Sequence, residues 1–181
     1  MPRTTEPDPL AVDAGTQALV LISSLRSPLT LLPGSAFENL LVVSTTRSPA
    51  KVEQLVRERG GDPNRVGVVP VSGSPVDYDG PMWTASVVHP NDLSGIDQRF
   101  ARGMNYVKPG EGWVVFDNVN VLLMYAELSG VYQLVESAAA RTRDRRASGA
   151  FALVRDAVGD STYERFREIF DTELDERGRE S

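Results

Sequence analysis

The chain has 181 residues, of which 41% are hydrophobic and 24% charged, and its formal net charge is -6. These proportions are those of a globular domain with one core. The absence of cysteine excludes disulfides, thiolate nucleophiles and Cys-ligated zinc, and a single histidine argues against a His-based metal site. We therefore expect no metal and no cofactor. The acidic balance also argues against nucleic acid as a partner.

The chain ends are polar. Residues 1–16 are rich in Pro, Asp and Thr without apolar periodicity, which predicts a flexible leader. No apolar stretch approaches the roughly 18 residues that span a bilayer, and the start of the chain lacks the apolar run of a signal peptide. We expect a cytoplasmic protein without membrane contact, with one domain over 17–171 and a fraying polar tail over 172–181.

The first half of the chain alternates apolar strands with short connections. Strands are predicted over 18–22, 40–44 and 66–71, where Pro70 indicates a strand end or a sheet edge. Ser48 and Pro49 follow the second strand as a helix cap and first helical residue. The glycines and proline over 60–63 end that helix.

The second half continues the pattern. A short strand is predicted over 85–88, a helix after Asp92, and a central strand over 113–116 that runs into Asp117. One long helix then follows, and its start over 121–125 is apolar almost all round, which predicts deep burial. A last strand over 150–154 precedes a terminal helix whose aromatic face we expect to pack on the sheet.

Continuous apolar strands that alternate with amphipathic helices predict an α/β three-layer sandwich around a mostly parallel sheet. In such sheets ligands bind beyond the carboxyl ends of the strands. The polar residues predicted at that edge are Ser23, Thr45, Arg47, Asp117, Asn118 and Arg155.

Two segments resemble the core of RecA/KaiC-like ATPases. LVVSTTRSPAKVEQL over 41–55 is similar to that family's second strand and helix entry, and WVVFDNVNVLL over 113–123 resembles its Walker B strand. Together they also resemble an uncharacterised haloarchaeal family of such domains. The resemblance implies a RecA-like (P-loop NTPase-like) topology, with Asp117 in the place of the magnesium-directing aspartate.

The departures from that pattern concern catalysis. A phosphate loop needs clustered glycines, a lysine and a Ser/Thr, whereas residues 23–39 contain one glycine, Gly34, no lysine and only Arg26 as a cation. Thr45, Thr46 and Arg47 stand where the resemblance implies a catalytic glutamate. We therefore expect no ATP hydrolysis, no catalytic residue and no enzyme, and interpret Asp117 as a cap of the following helix.

These features predict a degenerate, non-catalytic domain that acts as a regulatory or protein-interaction module, with a protein partner or by self-association. An alternative is a nucleotide-responsive protein that binds ATP or another phosphorylated ligand without a P-loop, through Arg26, Arg47, Asp117 and Asn118. A receiver-like or flavodoxin-like domain is a third hypothesis, but it needs acidic residues where Ser23 and Ser24 stand.

Other polar residues have simpler interpretations. The arginine run over 141–146 is typical of a solvated helix end, whose dipole favours cations. His89 is expected in a loop without a catalytic partner, and Asp77 and Asp79 in a solvated turn. Trp83 is predicted to cover the sheet edge.

Overall fold

The structure is a computed structural model that describes residues 10–24 and 26–177. Seven strands form one sheet in the order β4-β3-β2-β5-β6-β1-β7, and every neighbouring pair is parallel. The strands are β1 (Gln17–Ile22), β2 (Leu40–Ser44), β3 (Val66–Pro70), β4 (Trp83–Thr84), β5 (Trp113–Asp117), β6 (Ser148–Val154) and β7 (Thr172–Asp175).

Five α-helices connect these strands: α1 (Pro49–Glu58), α2 (Leu93–Met104), α3 (Asn120–Tyr125), α4 (Leu128–Asp144) and α5 (Asp160–Arg167). The predicted cap of α1 is confirmed, because the Ser48 side chain accepts a hydrogen bond from the Lys51 amide and Pro49 is the first helical residue. Asp92 caps α2 in the same way and accepts from the Gly95 amide.

The sheet is covered on both faces. One face packs against α2, α4 and α5, with Phe100, Phe116 and Phe151 at its centre. The other packs against α1 and two 3-10 turns, Pro28–Leu31 and Gly34–Glu38. The predicted α/β three-layer sandwich is therefore confirmed, with every strand parallel, and it is consistent with a RecA-like layout. β5, the fourth of seven strands, is central as predicted.

The strand predicted over 85–88 is wrong in position. The edge strand β4 comes earlier, at Trp83–Thr84, and Val88 makes an isolated parallel bridge with Val71. The chain here is too short for a full strand because it must turn into the cap of α2. Pro70 is the last residue of β3, in agreement with the prediction of a strand end.

The single long helix predicted after Asp117 is also wrong. α3 ends at Tyr125, and α4 begins at Leu128 after a break at Ala126, whose backbone is extended. The deep burial expected for residues 121–125 is wrong too. Only Leu122 of α3 is fully buried, whereas Met124 is 77% exposed and Tyr125 52% exposed. Val121 and Leu123 are half-buried, so the exposed part of the helix is its last two residues.

The terminal region is more ordered than the sequence predicts. Phe166, Ile169 and Phe170 pack into the core, as expected for the terminal helix. Of the tail predicted to fray over 172–181, Thr172–Asp175 forms β7 beside β1, and residues 178–181 lie outside the described residues. Of the predicted leader, residues 1–9 lie outside the described residues, and Leu10 is buried against the second face of the sheet.

Candidate functional site

The predicted site lies at the carboxyl ends of the strands, which we call the carboxyl edge. Ser44 and Asp117 are paired in register as the last residues of β2 and β5. The Asp117 side chain is only 2% exposed, and its Oδ2 lies 2.7 Å from Nη1 of Arg47. Because Arg47 follows β2 by three residues, the turn after that strand carries the guanidinium onto the neighbouring strand's carboxylate.

The turn from Ser44 to Arg47 is held by a reciprocal pair of hydrogen bonds. The Ser44 hydroxyl donates to the Arg47 carbonyl at 2.6 Å and accepts from the Arg47 amide at 3.3 Å. Side chains of serine close turns in this way at little entropic cost. These bonds fix the backbone of Arg47, and its guanidinium is held by the Thr46 hydroxyl and the Asp117 carboxylate.

Thr45 joins the ends of β2 and β5. Its amide donates to the Asp117 carbonyl at 2.9 Å, and its hydroxyl accepts from the Asn118 amide at 2.9 Å. The same hydroxyl lies 3.1 Å from the Asp117 carbonyl oxygen and 3.0 Å from that of Asn118. The Asp117–Asn118 peptide bond that these contacts surround is cis.

The interpretation of Asp117 as a helix cap is wrong. Its carboxylate is occupied by Arg47, and Asn118 Oδ1 instead accepts from the Val121 amide at 3.3 Å. Sequence reasoning also missed Asn120, whose amide group donates to the Val154 carbonyl at 3.0 Å and accepts from its N–H at 2.6 Å. The signal for it is an amide side chain at the start of a helix beside a strand end.

Burial dominates the electrostatics of Asp117. It raises the pKa of the carboxyl from 3.8 to about 6, against the opposing attraction and hydrogen bond of Arg47. The second oxygen, Oδ1, is buried and accepts no hydrogen bond within the described part of the chain. A buried carboxylate with one orphaned oxygen is costly to keep ionised. Such perturbed groups cluster at functional sites, although internal ion pairs perturb pKa values too.

The structure brings Arg26 and Arg47 together. Both line a shallow depression of about 370 Å³, with Ser27, Thr30 and Leu55. The two other polar residues expected at this edge serve local turns. The Ser23 carbonyl accepts from the Arg26 amide at 3.2 Å. The Arg155 guanidinium donates to the Val158 carbonyl at 3.1 Å and lies 4.4 Å from the centre of the Tyr163 ring.

The segment between β1 and β2 is where a P-loop protein holds its phosphate loop and following helix. Here its described residues form two 3-10 turns. Leu29, Leu31, Leu32 and Phe37 from this segment are at most 2% exposed and belong to the core. These side chains make the described part of the segment a cover of the sheet.

The arginine run at the end of α4 contacts the protein itself. Arg145 donates to the Met104 carbonyl from two nitrogens, at 3.1 and 2.6 Å. Arg141 lies 3.5 Å from Asp97, and Arg143 lies 3.4 Å from Asp171. The prediction of a solvated end is therefore only partly right, since these cations also tie α4 to its neighbours.

No group of three or more His, Cys, Asp or Glu side chains among the described residues is placed to hold a metal ion. None of the described helices has the length and apolar character needed to cross a membrane.

Fold and site thus define the class of the protein as a three-layer α/β domain with an all-parallel sheet of seven strands, consistent with a RecA-like layout. The chain belongs to the family DUF7504, a family of unknown function whose profile matches residues 27–175. No curated protein matches the sequence.

A solved structure described as a structural study of Project ID PH0250 from Pyrococcus horikoshii OT3 is similar in fold. The TM-score is 0.59 at 12% sequence identity, and the match covers 91% of this chain and 83% of the other. At this identity the similarity concerns the fold alone.

Proposed function

We propose that this chain is a non-catalytic RecA/KaiC-like domain of the cytoplasm that acts as an interaction module and docks a protein partner through a surface on α3. The observation that carries the proposal is the exposure of two adjacent large apolar side chains, Met124 at 77% and Tyr125 at 52%. We call the surface formed by His89, Leu123, Met124 and Tyr125 the α3 patch.

The composition of the α3 patch suits protein recognition. Aromatic residues supply much of the binding energy at interfaces, and methionine adapts its shape to a partner. The His89 ring meets the Tyr125 ring edge-on, with centroids 5.4 Å apart. Because His89 is itself held in a turn, where its Nδ1 accepts from the Asn91 amide, this contact orients the tyrosine before any partner arrives.

The charges around the patch select the kind of partner. Two exposed acidic residues are close to the patch in sequence: Asp92, three residues after His89, and Glu127, two residues after Tyr125. The whole chain carries a net charge of -6. A second copy would bring the same acidic rim, and like charges across an interface disfavour pairing. The partner we propose is therefore a different protein with an apolar anchor inside a basic rim.

The absence of catalysis rests on three features. The sequence has no phosphate-loop glycines or lysine and no glutamate after β2. The apolar side chains described between β1 and β2, such as Leu29, Leu32 and Phe37, are buried in the core. The strand-end carboxylate of Asp117 is engaged by Arg47 inside the protein. These features favour a regulatory or interaction role over hydrolysis.

A photo-crosslinking amino acid at position 125, introduced into the full chain in its native cells, tests the docking proposal. Position 54 on α1 is the matched control, because Gln54 is exposed on the opposite face of the sheet. We expect one defined adduct with another protein from position 125 and not from position 54. Purified with that protein, Met124→Asp should lower the affinity at least about tenfold while circular dichroism stays unchanged.

Two results would overturn the proposal. Equal adducts from both positions would remove the specificity of the α3 patch. An adduct between two copies of this chain, with Met124→Asp abolishing dimers in sedimentation, would replace the partner by self-association.

One observation favours the alternative of a nucleotide-responsive protein: Arg26 and Arg47 line the same depression at the carboxyl edge, near Asp117 and Asn118. ATP with magnesium in a thermal-shift assay separates the two hypotheses. A ligand at 100 times its Kd stabilises by about 2.7 kcal/mol, a readily measured shift. We expect no shift, whereas a shift that Arg26→Ala abolishes would establish the alternative.

A further inference from the structure

A cavity of about 370 Å³ opens at the edge of the sheet where the parallel strands begin, opposite the carboxyl edge. We call it the amino-edge pocket. It lies between the starts of β2 and β3, the strand β4 and the end of α2. Its volume falls in the range of small-molecule sites, roughly 300 to 1,000 Å³. It is far from the α3 patch, which follows the carboxyl end of β5.

An aromatic corner forms one wall of this pocket. The rings of Trp83 and Tyr106 lie 5.6 Å apart at 43°. The indole rests on two glycines, since a Cβ on Gly67 would lie 3.0 Å from its Cε3 and one on Gly103 would lie 3.4 Å from its Cζ3. Tyr106 is 64% exposed. The protein thus holds a rigid indole and an accessible phenol side by side, a surface on which a planar ring can stack.

The rim of the pocket is fixed by Asn39. Its Nδ2 donates to the Tyr106 carbonyl at 2.9 Å, and its Oδ1 accepts from the Lys108 amide at 2.7 Å. The loop after α2 is therefore tied to the start of β2. A rim ordered before binding reduces the entropy that a ligand must overcome.

The charges that line the pocket favour an anion. They are Arg65 and Lys108 against the single carboxylate of Glu38. The ion pair of Arg65 with Asp62 is long, at 3.9 Å, and both side chains are more than half exposed, so it holds the guanidinium only weakly. A neighbouring cavity of about 330 Å³ shares both cations and Glu38, but Glu111 also lines it, so we place the anionic group in the amino-edge pocket itself.

We infer that the amino-edge pocket binds a small planar aromatic molecule that carries a negatively charged group. The ring stacks in the corner of Trp83 and Tyr106, and the anion meets Arg65 and Lys108. Two kinds of molecule share this chemistry, a nucleoside monophosphate and an aromatic carboxylate. The inference is independent of the docking role of the α3 patch.

Trp83 fluorescence reports binding directly. The chain has two tryptophans, and the conservative Trp113→Phe leaves Trp83 as the only one. Comparing AMP with adenosine tests whether the pocket recognises a phosphate, and comparing benzoate with benzyl alcohol tests whether it recognises a carboxylate. We expect saturable quenching by at least one anion, with its neutral analogue at least about fivefold weaker. Whichever anion binds more tightly identifies the source.

The two lysines of the chain provide a matched pair of variants. Lys108→Glu and Lys51→Glu change the net charge equally, but only Lys108 lines the pocket. We expect Lys108→Glu to weaken the anion about tenfold and Lys51→Glu to leave it unchanged. Tyr106→Ala should weaken the anion and its neutral analogue alike. Unsaturable quenching by every probe, or equal effects of the two lysine variants, would overturn the inference.

Discussion

The two edges of the sheet use their polar side chains in opposite ways. At the carboxyl edge, polar side chains bond within the protein. The Arg47 guanidinium pairs with the Asp117 carboxylate, and the Thr45 hydroxyl contacts the Asp117 carbonyl and the Asn118 amide. At the amino edge, Lys108 and Arg65 line an open cavity beside exposed aromatic surface. Position at a strand's carboxyl end is therefore not enough to make a polar residue available to a ligand. What matters is whether a neighbouring strand supplies it with an internal partner.

The largest effect should come from removing the internal partner of Asp117. Arg47→Ala leaves a buried carboxylate uncompensated, and we expect it to lower the free energy of unfolding by about 3 kcal/mol at neutral pH. Lys108→Ala at the amino edge is the control and should cost under about 0.5 kcal/mol. Urea denaturation measures both. Equal losses would mean that the two edges do not differ in this respect.

Asp117→Asn should raise the free energy of unfolding at neutral pH, whereas Arg47→Ala lowers it. Because the folded pKa, about 6, lies above the ordinary 3.8, the folded state binds this proton more tightly, and the carboxyl's contribution to stability is lost as pH rises from about 4 to 6. The asparagine amide does not ionise, so the variant does not lose this stability as pH rises. We expect the free energy of unfolding of the variant to equal that of the wild type near pH 4 and to be roughly 1–3 kcal/mol higher above pH 7.

Denaturation across this pH range, with Asp79→Asn in an exposed loop as the control, tests that expectation. A variant that is less stable than the wild type above pH 7 would show that the ion pair with Arg47 outweighs the cost of burying the charge.

Thr45→Val tests the link between β2 and β5. Valine has the same shape but leaves the Asn118 amide without its acceptor, so we expect a loss of about 1–2 kcal/mol. Thr46→Val is the control at the exposed neighbour: it removes only an exposed hydrogen bond from Arg47 Nη1 to the Thr46 hydroxyl, at 3.2 Å, so the loss should stay under about 0.5 kcal/mol. A small loss at both positions would mean that water replaces the threonine hydroxyl.

The smallest effects should come from the exposed tyrosines. Tyr106→Ala at the amino edge and Tyr125→Ala in the α3 patch remove side chains that are 64% and 52% exposed. Each should cost at most about 1 kcal/mol, mostly from the lost ring contact. Thermal denaturation checks this. A larger loss at either site would assign that tyrosine to the fold and not to binding.

The sequence by itself determined most of the secondary structure. Short apolar runs such as WVVF and LLVVS, rich in β-branched valine, favour buried strands of a parallel sheet. Ser48 with Pro49, and Asp92, fixed two helix starts through local hydrogen bonds. The missing phosphate-loop residues were equally visible, since they depend on residue types at fixed spacing.

Only the tertiary structure decided which residues meet. The partner of Asp117 is 70 residues away in sequence, and the partners of Asn39 are 67 and 69 residues away. Likewise, Met124 and Tyr125 at the end of α3 are exposed where the chain breaks, and polar-looking residues 172–175 form a strand because β1 offers an unpaired edge. Pattern governs what a segment prefers locally, but burial and pairing depend on neighbours that the fold alone brings together.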